Sequence, residues 1–166
     1  MSGHSRWSQI KHKKALTDKK KGQMFSRTSR LITIAARKGP DPKSNSVLAQ
    51  AIEKARSVNM PNDNVERAIK KAAEKSQDQL EELSIEALAS GNVPLRIKAV
   101  TDSRNRTISE IKKVLGDNGA KMVPPGSIAW MFNQPAPILD SNAQSQLDKL
   151  FDALDEQEDV EDIISP

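Results

Sequence analysis

The period of the apolar residues changes once along the chain, and that change dictates a two-part fold. Up to about residue 75 the apolar positions recur at i, i+3, i+4 and i+7, the spacing of a one-sided helix. Residues 22–38 put Met24, Phe25, Thr28, Leu31, Ile32, Ala35 and Ala36 on one wall. Gln23, Ser26, Arg27, Arg30, Arg37 and Lys38 fall on the other, with Ile34 interrupting them. Gly39-Pro40-Asp41-Pro42 stops this helix. Residues 47–58 repeat the pattern through Val47, Leu48, Ala51, Ile52, Ala55 and Val58. A turn at 59–63 follows, with Pro61 suited to the first helical position. The next helix, to about residue 75, directs Val65, Ala68, Ile69, Ala72 and Ala73 inward and leaves Arg67, Lys70, Lys71 and Lys75 outside. Residues 3–21 hold too few apolar positions for a core helix. They are expected to form an extended arm with a short helix near 11–21, anchored by Trp7, Ile10, Ala15 and Leu16.

Residues 76–82 are polar and acidic and read as a linker. Beyond them the pattern turns towards β. Residues 83–89 and 94–101 read as strands around the turn Ser90-Gly91-Asn92, with Leu95, Ile97 and Ala99 alternating with Arg96, Lys98 and Val100. Asp102 to Arg106 is a polar loop. Thr107 and Glu110 match a capping box, followed by a helix with Ile108, Ile111, Val114 and Leu115 that Gly119 ends. After the turn Pro124-Pro125-Gly126, residues 127–132 alternate Ile128, Trp130, Phe132 with Ala129, Met131 and predict a strand covered on both faces. A short strand is expected at 137–140. A last helix at 143–156 would bury Ala143, Leu147, Leu150, Phe151 and Leu154, and Val160, Ile163 and Ile164 would form an edge strand. The expected class is α+β: a small N-terminal helical bundle (1–75), a linker (76–82) and a two-layer α+β domain with a mainly antiparallel sheet (83–166).

Charge separates the two parts. The net charge of +4 in 166 residues hides 18 Lys/Arg against 6 Asp/Glu in residues 1–75, a net of +12. Residues 76–166 hold 8 against 16, a net of −8. Such asymmetry points to a polyanionic partner for the first part. The absence of Cys excludes disulfides, zinc fingers, iron–sulfur clusters and thiol catalysis. Only His4 and His12 are available as imidazoles, and no carboxylate cluster lies near them in sequence, so no metal and no cofactor are expected. No GxGxxG or Walker sequence occurs. The paired carboxylates Glu81/Glu82 and Asp155/Glu156 lie in polar stretches and read as solvated surface, so nothing nominates an enzyme or a small-molecule substrate. No apolar run is long enough to cross a membrane, and no secretory signal is seen, so a cytoplasmic location is expected.

The densest cationic set is Arg6, Lys11, His12, Lys13, Lys14, Lys19, Lys20, Lys21, Arg27 and Arg30, continued by Arg37, Lys38, Arg67, Lys70 and Lys71. Lysine suits phosphate without base readout, and arginine adds bidentate contacts or stacking on unpaired bases. Trp7 either stacks on a base or packs against the bundle. A second candidate is Thr101 to Thr107, where Arg104 and Arg106 flank a helix N-terminus able to receive an anion; the plain alternative is a loop that caps its helix.

Several of these stretches carry a resemblance. Gly3-His4-Ser5-Arg6-Trp7, Ile10-Lys11-His12-Lys13-Lys14, Met60-Pro61-Asn62-Asp63-Asn64-Val65-Glu66-Arg67-Ala68-Ile69-Lys70-Lys71, Thr101-Asp102-Ser103-Arg104-Asn105-Arg106-Thr107 and Gly126-Ser127-Ile128-Ala129-Trp130-Met131-Phe132 closely resemble the YebC/PmpR family. The resemblance implies an N-terminal helical domain with α+β domains behind it, no enzyme activity and no cofactor. It also implies a role in gene expression, described for some members as DNA-binding transcriptional regulation and for others as translation. Members usually carry a third domain after the Trp-Met-Phe segment; here the last helix follows Phe132 within about ten residues, so a shortened member is expected. The expected function is a non-enzymatic RNA- or ribosome-directed factor, since the basic residues crowd an arm rather than one recognition helix. A DNA-binding regulator using helices 47–58 and 61–75, and a protein-interaction module with self-association through the oppositely charged halves, are the alternatives.

Overall fold

A computed structural model describes residues 18–74 and 80–166. The chain divides into two compact units at Glu81/Glu82. In the first, α1 (Asp18–Ala36), α2 (Ser46–Ser57) and α3 (Asn62–Ala73) pack around Ile32, Ala35, Ala36, Leu48, Ala51, Ala55, Met60, Val65 and Ala68. Five of these nine are alanines, small enough to let helix backbones come close. Thr33 Oγ1 approaches Ala68 O to 3.1 Å, a hydrogen bond from α1 to α3.

The expected helices are present with shifted ends. α1 runs unbroken through Gly22, so residues 18–21 belong to it rather than to a separate short helix; the remainder of the expected arm lies outside the described residues. Pro61 is the N-cap of α3, one place before the helix. Asn45 joins α1 to α2: its Oδ1 accepts from Leu48 N at 3.1 Å, and its Nδ2 donates to Ala35 O and Gly39 O, both at 2.8 Å. One buried amide thus caps the start of α2 and holds the end of α1.

In the second unit, β1 (Glu81–Ala89), β2 (Val93–Thr101), β3 (Lys121–Val123) and β4 (Val160–Ile164) form one antiparallel sheet in the order β3-β1-β2-β4. Glu81 and Glu82 already belong to β1, where a linker was expected; residues 75–79 lie outside the described set. α4 (Arg104–Asp117) and α5 (Ser141–Glu156) contribute Ile111, Leu115, Leu147, Leu150, Phe151 and Leu154 to a core shared with Leu83, Ile85, Ala87, Leu95, Ile97 and Ala99 of the sheet. β4 takes the sheet edge, as expected, with Ile97 opposite Ile163.

Three expectations fail here. Residues 129–133 wind as a 3₁₀ turn, not a strand, and Trp130 is 64% exposed. The edge of β1 is taken instead by Lys121–Val123. The chain after it is tied by Gly126 N–H donating to the buried Glu86 carboxylate at 2.8 Å. Glu86 also pairs with Arg96 at 3.1 Å, and the Arg96 guanidinium lies 4.6 Å from the centre of the Phe132 ring. A 3₁₀ winding lets Phe132 reach that cation. Residues 137–140 form no strand. The Thr107/Glu110 capping box is absent too, because α4 starts at Arg104 with Ser103 as its N-cap, and Thr107 is buried inside the helix.

A cationic cleft in the helical unit

α1 is flanked by α2 and by α3, so its buried arc is wide. At about 100° per residue, Arg27, Thr28, Ile32, Thr33, Ala35 and Ala36 span about two thirds of its circumference. Arg27, expected on the polar wall, is therefore buried, at 4% exposure. Lys19, Arg30 and Arg37 fall within about 20° of one another on the remaining stripe. On α3, Val65 and Ala68 face the core while Arg67, Lys70 and Lys71 stand exposed.

Where α1 meets α3 the surface opens into a cleft of about 400 Å³. Phe25, Ser29 and Arg30 line it from α1, and Asn64, Arg67 and Lys71 from α3. Asn64, Arg67 and Lys71 sit at i, i+3 and i+7, so they form one stripe along the helix. Phe25 is half-buried, packed against the helical core on one side and facing the cleft on the other. Among the described residues, no carboxylate lies within ion-pair distance of Arg67 or Lys71. The cleft therefore offers positive charge, amide and hydroxyl hydrogen-bonding groups and one aromatic face.

The other expected site residues are distributed unevenly. Arg6, Trp7, Lys11, His12, Lys13 and Lys14 lie outside the described residues. Lys19, Lys20 and Lys21 occupy the start of α1, and Lys38 is exposed just past its end. Arg37 donates to Leu80 O at 2.6 Å, a bond within the same unit. Lys70 is exposed but does not line the cleft. Ser29 and Asn64 were not singled out from the sequence; the i, i+3, i+7 spacing of Asn64 with Arg67 and Lys71 was the available signal.

The segment from Thr101 to Thr107 is a structural knot. Ser103 N–H donates to Thr101 Oγ1 at 2.8 Å, the Thr101 and Thr107 hydroxyls are 2.7 Å apart, and Thr107 donates to buried Asp159 at 2.7 Å. Arg106 pairs with the same Asp159 at 3.1 Å and with Asp102 at 3.0 Å. Its guanidinium is held above its ordinary pKa chiefly by the hydrogen bond to Asp159 and that carboxylate's charge, opposed by burial and aided by Asp102. Arg106 is ion-paired with the unit's own carboxylates, and the N-cap Ser103 makes no side-chain capping hydrogen bond. Arg104 stands exposed on the first turn of α4.

A three-helix unit with a cationic cleft, followed by a sheet packed under two helices, defines the class of this chain. It belongs to the TACO1/YebC family: residues 5–75 match the TACO1/YebC protein N-terminal domain, and residues 80–139 match the TACO1/YebC second and third domain. The chain is 40% identical over its whole length to a probable transcriptional regulatory protein of Brachyspira hyodysenteriae, spanning 72% of that relative. It is 46% identical over 83% of its length to one of Solibacter usitatus, spanning 56% of it. A crystal structure of a conserved hypothetical protein from Aquifex aeolicus matches with a TM-score of 0.82 at 30% identity, covering 97% of this chain and 96% of that one.

Proposed function

We propose that this chain is a non-enzymatic regulator of gene expression that binds RNA through its helical unit and acts in the cytoplasm on the translating ribosome. The convergence of Arg30, Arg67 and Lys71 on one cleft carries this reading. Arg106 and Arg96 are engaged by Asp159 and Glu86, whereas among the described residues no carboxylate lies within ion-pair distance of the cleft residues Arg67 and Lys71. Lys19, Lys20, Lys21 and Lys38 extend the positive surface along α1. Phosphate contacts of this kind hold a nucleic acid without reading its sequence.

The relatives' names favour a second reading, a DNA-binding transcriptional regulator. In a helix-turn-helix the N-terminal residues of the second helix meet the base edges. Here α3 would be that helix, and Asp63 and Glu66 stand exposed in its first turns, where they would face a polyanion. That charge favours RNA gripped along the cleft over a duplex entered by α3.

Sedimentation with ribosomes at low and high salt, beside a duplex-DNA shift assay with unrelated competitor, separates the two. Salt-sensitive ribosome binding without a competitor-resistant duplex complex is the expected result. A defined operator that survives competitor DNA would replace RNA with DNA as the target. Binding to neither would leave a protein-interaction module.

A further inference from the structure

We propose that the cleft between α1 and α3 is a pocket for one unpaired nucleotide, its base against Phe25 and its flanking phosphates on Arg30, Arg67 and Lys71. The inference rests on the RNA-directed reading above and says which form of RNA the unit takes. Three observations carry it. The first is shape. A recess of about 400 Å³ lies within the range of small-ligand pockets, whereas a surface meant only for phosphates needs no recess. In an A-form duplex the bases are stacked and paired, so only phosphates and 2′-hydroxyls would meet the protein; a base enters a recess only when it is splayed out.

The second is the arrangement of chemistry around the recess. The cations come from both walls, Arg30 on α1 with Arg67 and Lys71 on α3, so a strand crossing the cleft is held on either side of the inserted base. Asn64 and Ser29 bring an amide and a hydroxyl, groups that can hydrogen-bond a base edge or a ribose 2′-hydroxyl. The third is Phe25 itself. It is the sole aromatic side chain among the described residues of the helical unit, and it packs partly against the core while lining the cleft. A partly open aromatic is the usual platform for a single-stranded base.

The test uses the full chain and a fluorescent single-stranded RNA of about 12 nucleotides, alone and annealed to its complement. Wild-type protein is expected to prefer the single strand in anisotropy titrations. Phe25→Leu keeps an apolar side chain in the core but removes the aromatic face. It is expected to weaken single-strand binding roughly 5- to 150-fold while leaving duplex binding unchanged. In case that variant does not fold, the wild-type chain is photo-crosslinked to RNA carrying 4-thiouridine; the adduct is expected on the peptides bearing Phe25 or Asn64. Equal binding of single strand and duplex, wild-type binding by a folded Phe25→Leu, or adducts confined to other peptides would overturn the pocket and leave the cationic grip standing. No binding of either RNA form and no binding of ribosomes would instead remove the RNA reading, and the pocket with it.

Discussion

Replacing Asn45 with Ala should loosen the helical unit by about 2–4 kcal/mol. The magnitude comes from the three hydrogen bonds of this buried amide. Losing an N-cap side chain costs about 1 kcal/mol. Each lost bond to a neighbouring carbonyl costs about 0.5–1.5 kcal/mol net. Ala35 O keeps a second partner, Lys38 N at 3.2 Å, which places the total towards the lower end of that range. Two further variants divide the effect. Asn45→Ser keeps an oxygen for Leu48 N but cannot reach Ala35 O and Gly39 O, so about half the loss should return. Asn45→Asp keeps the cap but turns a carboxylate towards two carbonyls, and should be less stable than Ser. Urea denaturation followed by far-UV circular dichroism gives the totals, and hydrogen exchange of the amides at the end of α1 and the start of α2 localises them. An Asn45→Ala chain within about 0.5 kcal/mol of wild type, or a Ser variant as unstable as Ala, would refute the reasoning.

Gly91→Ala should cost about 1–3 kcal/mol, because its φ of +74° disfavours a side chain and an added Cβ would clash with Leu139 Cδ2; thermal melting beside the double variant with Leu139→Ala, which recovers the steric part, checks this. Thr107→Val should cost about 1–3 kcal/mol by leaving the buried Asp159 carboxylate short of a donor, read from urea midpoints. Glu86→Ala removes the acceptor for Gly126 N–H and the partner of Arg96, so proteolysis within residues 124–134 should accelerate while cleavage elsewhere keeps its rate.

The helices of the first unit were legible because a three-helix bundle is one-sided almost everywhere. α2 and α3 each bury a stripe, and period alone finds a stripe. Arg27 was misplaced because α1 has two partners, and the width of a buried arc depends on tertiary packing that a helical wheel does not carry. The strand pair β1 and β2 was readable from alternation across Ser90-Gly91-Asn92. The alternation of Ile128, Trp130 and Phe132 misled, since period 2 says nothing of whether a ladder partner exists. The free edge of β1 had gone to Lys121–Val123, a strand of three residues and too short to show a period. At the site, the sequence marked Arg30, Arg67 and Lys71 as cations but could not bring them together, because their meeting depends on how α1 crosses α3. It also offered Arg106 as a phosphate ligand; the ion pair of Arg106 with Asp159, fifty-three residues away, is a long-range contact without a local signature.

The cleft claim is tested most directly by the salt dependence of ribosome binding. Log affinity falls linearly with log salt concentration, with a slope set by the number of phosphates neutralised. The double variant Arg67→Glu and Lys71→Glu should weaken binding at every salt concentration and flatten the slope by about 1–2, with its melting temperature near wild type. Arg106→Gln should lower stability and leave the slope alone. A slope that stays at the wild-type value in the double variant, or that flattens only in Arg106→Gln, would contradict the assignment of RNA binding to the cleft between α1 and α3.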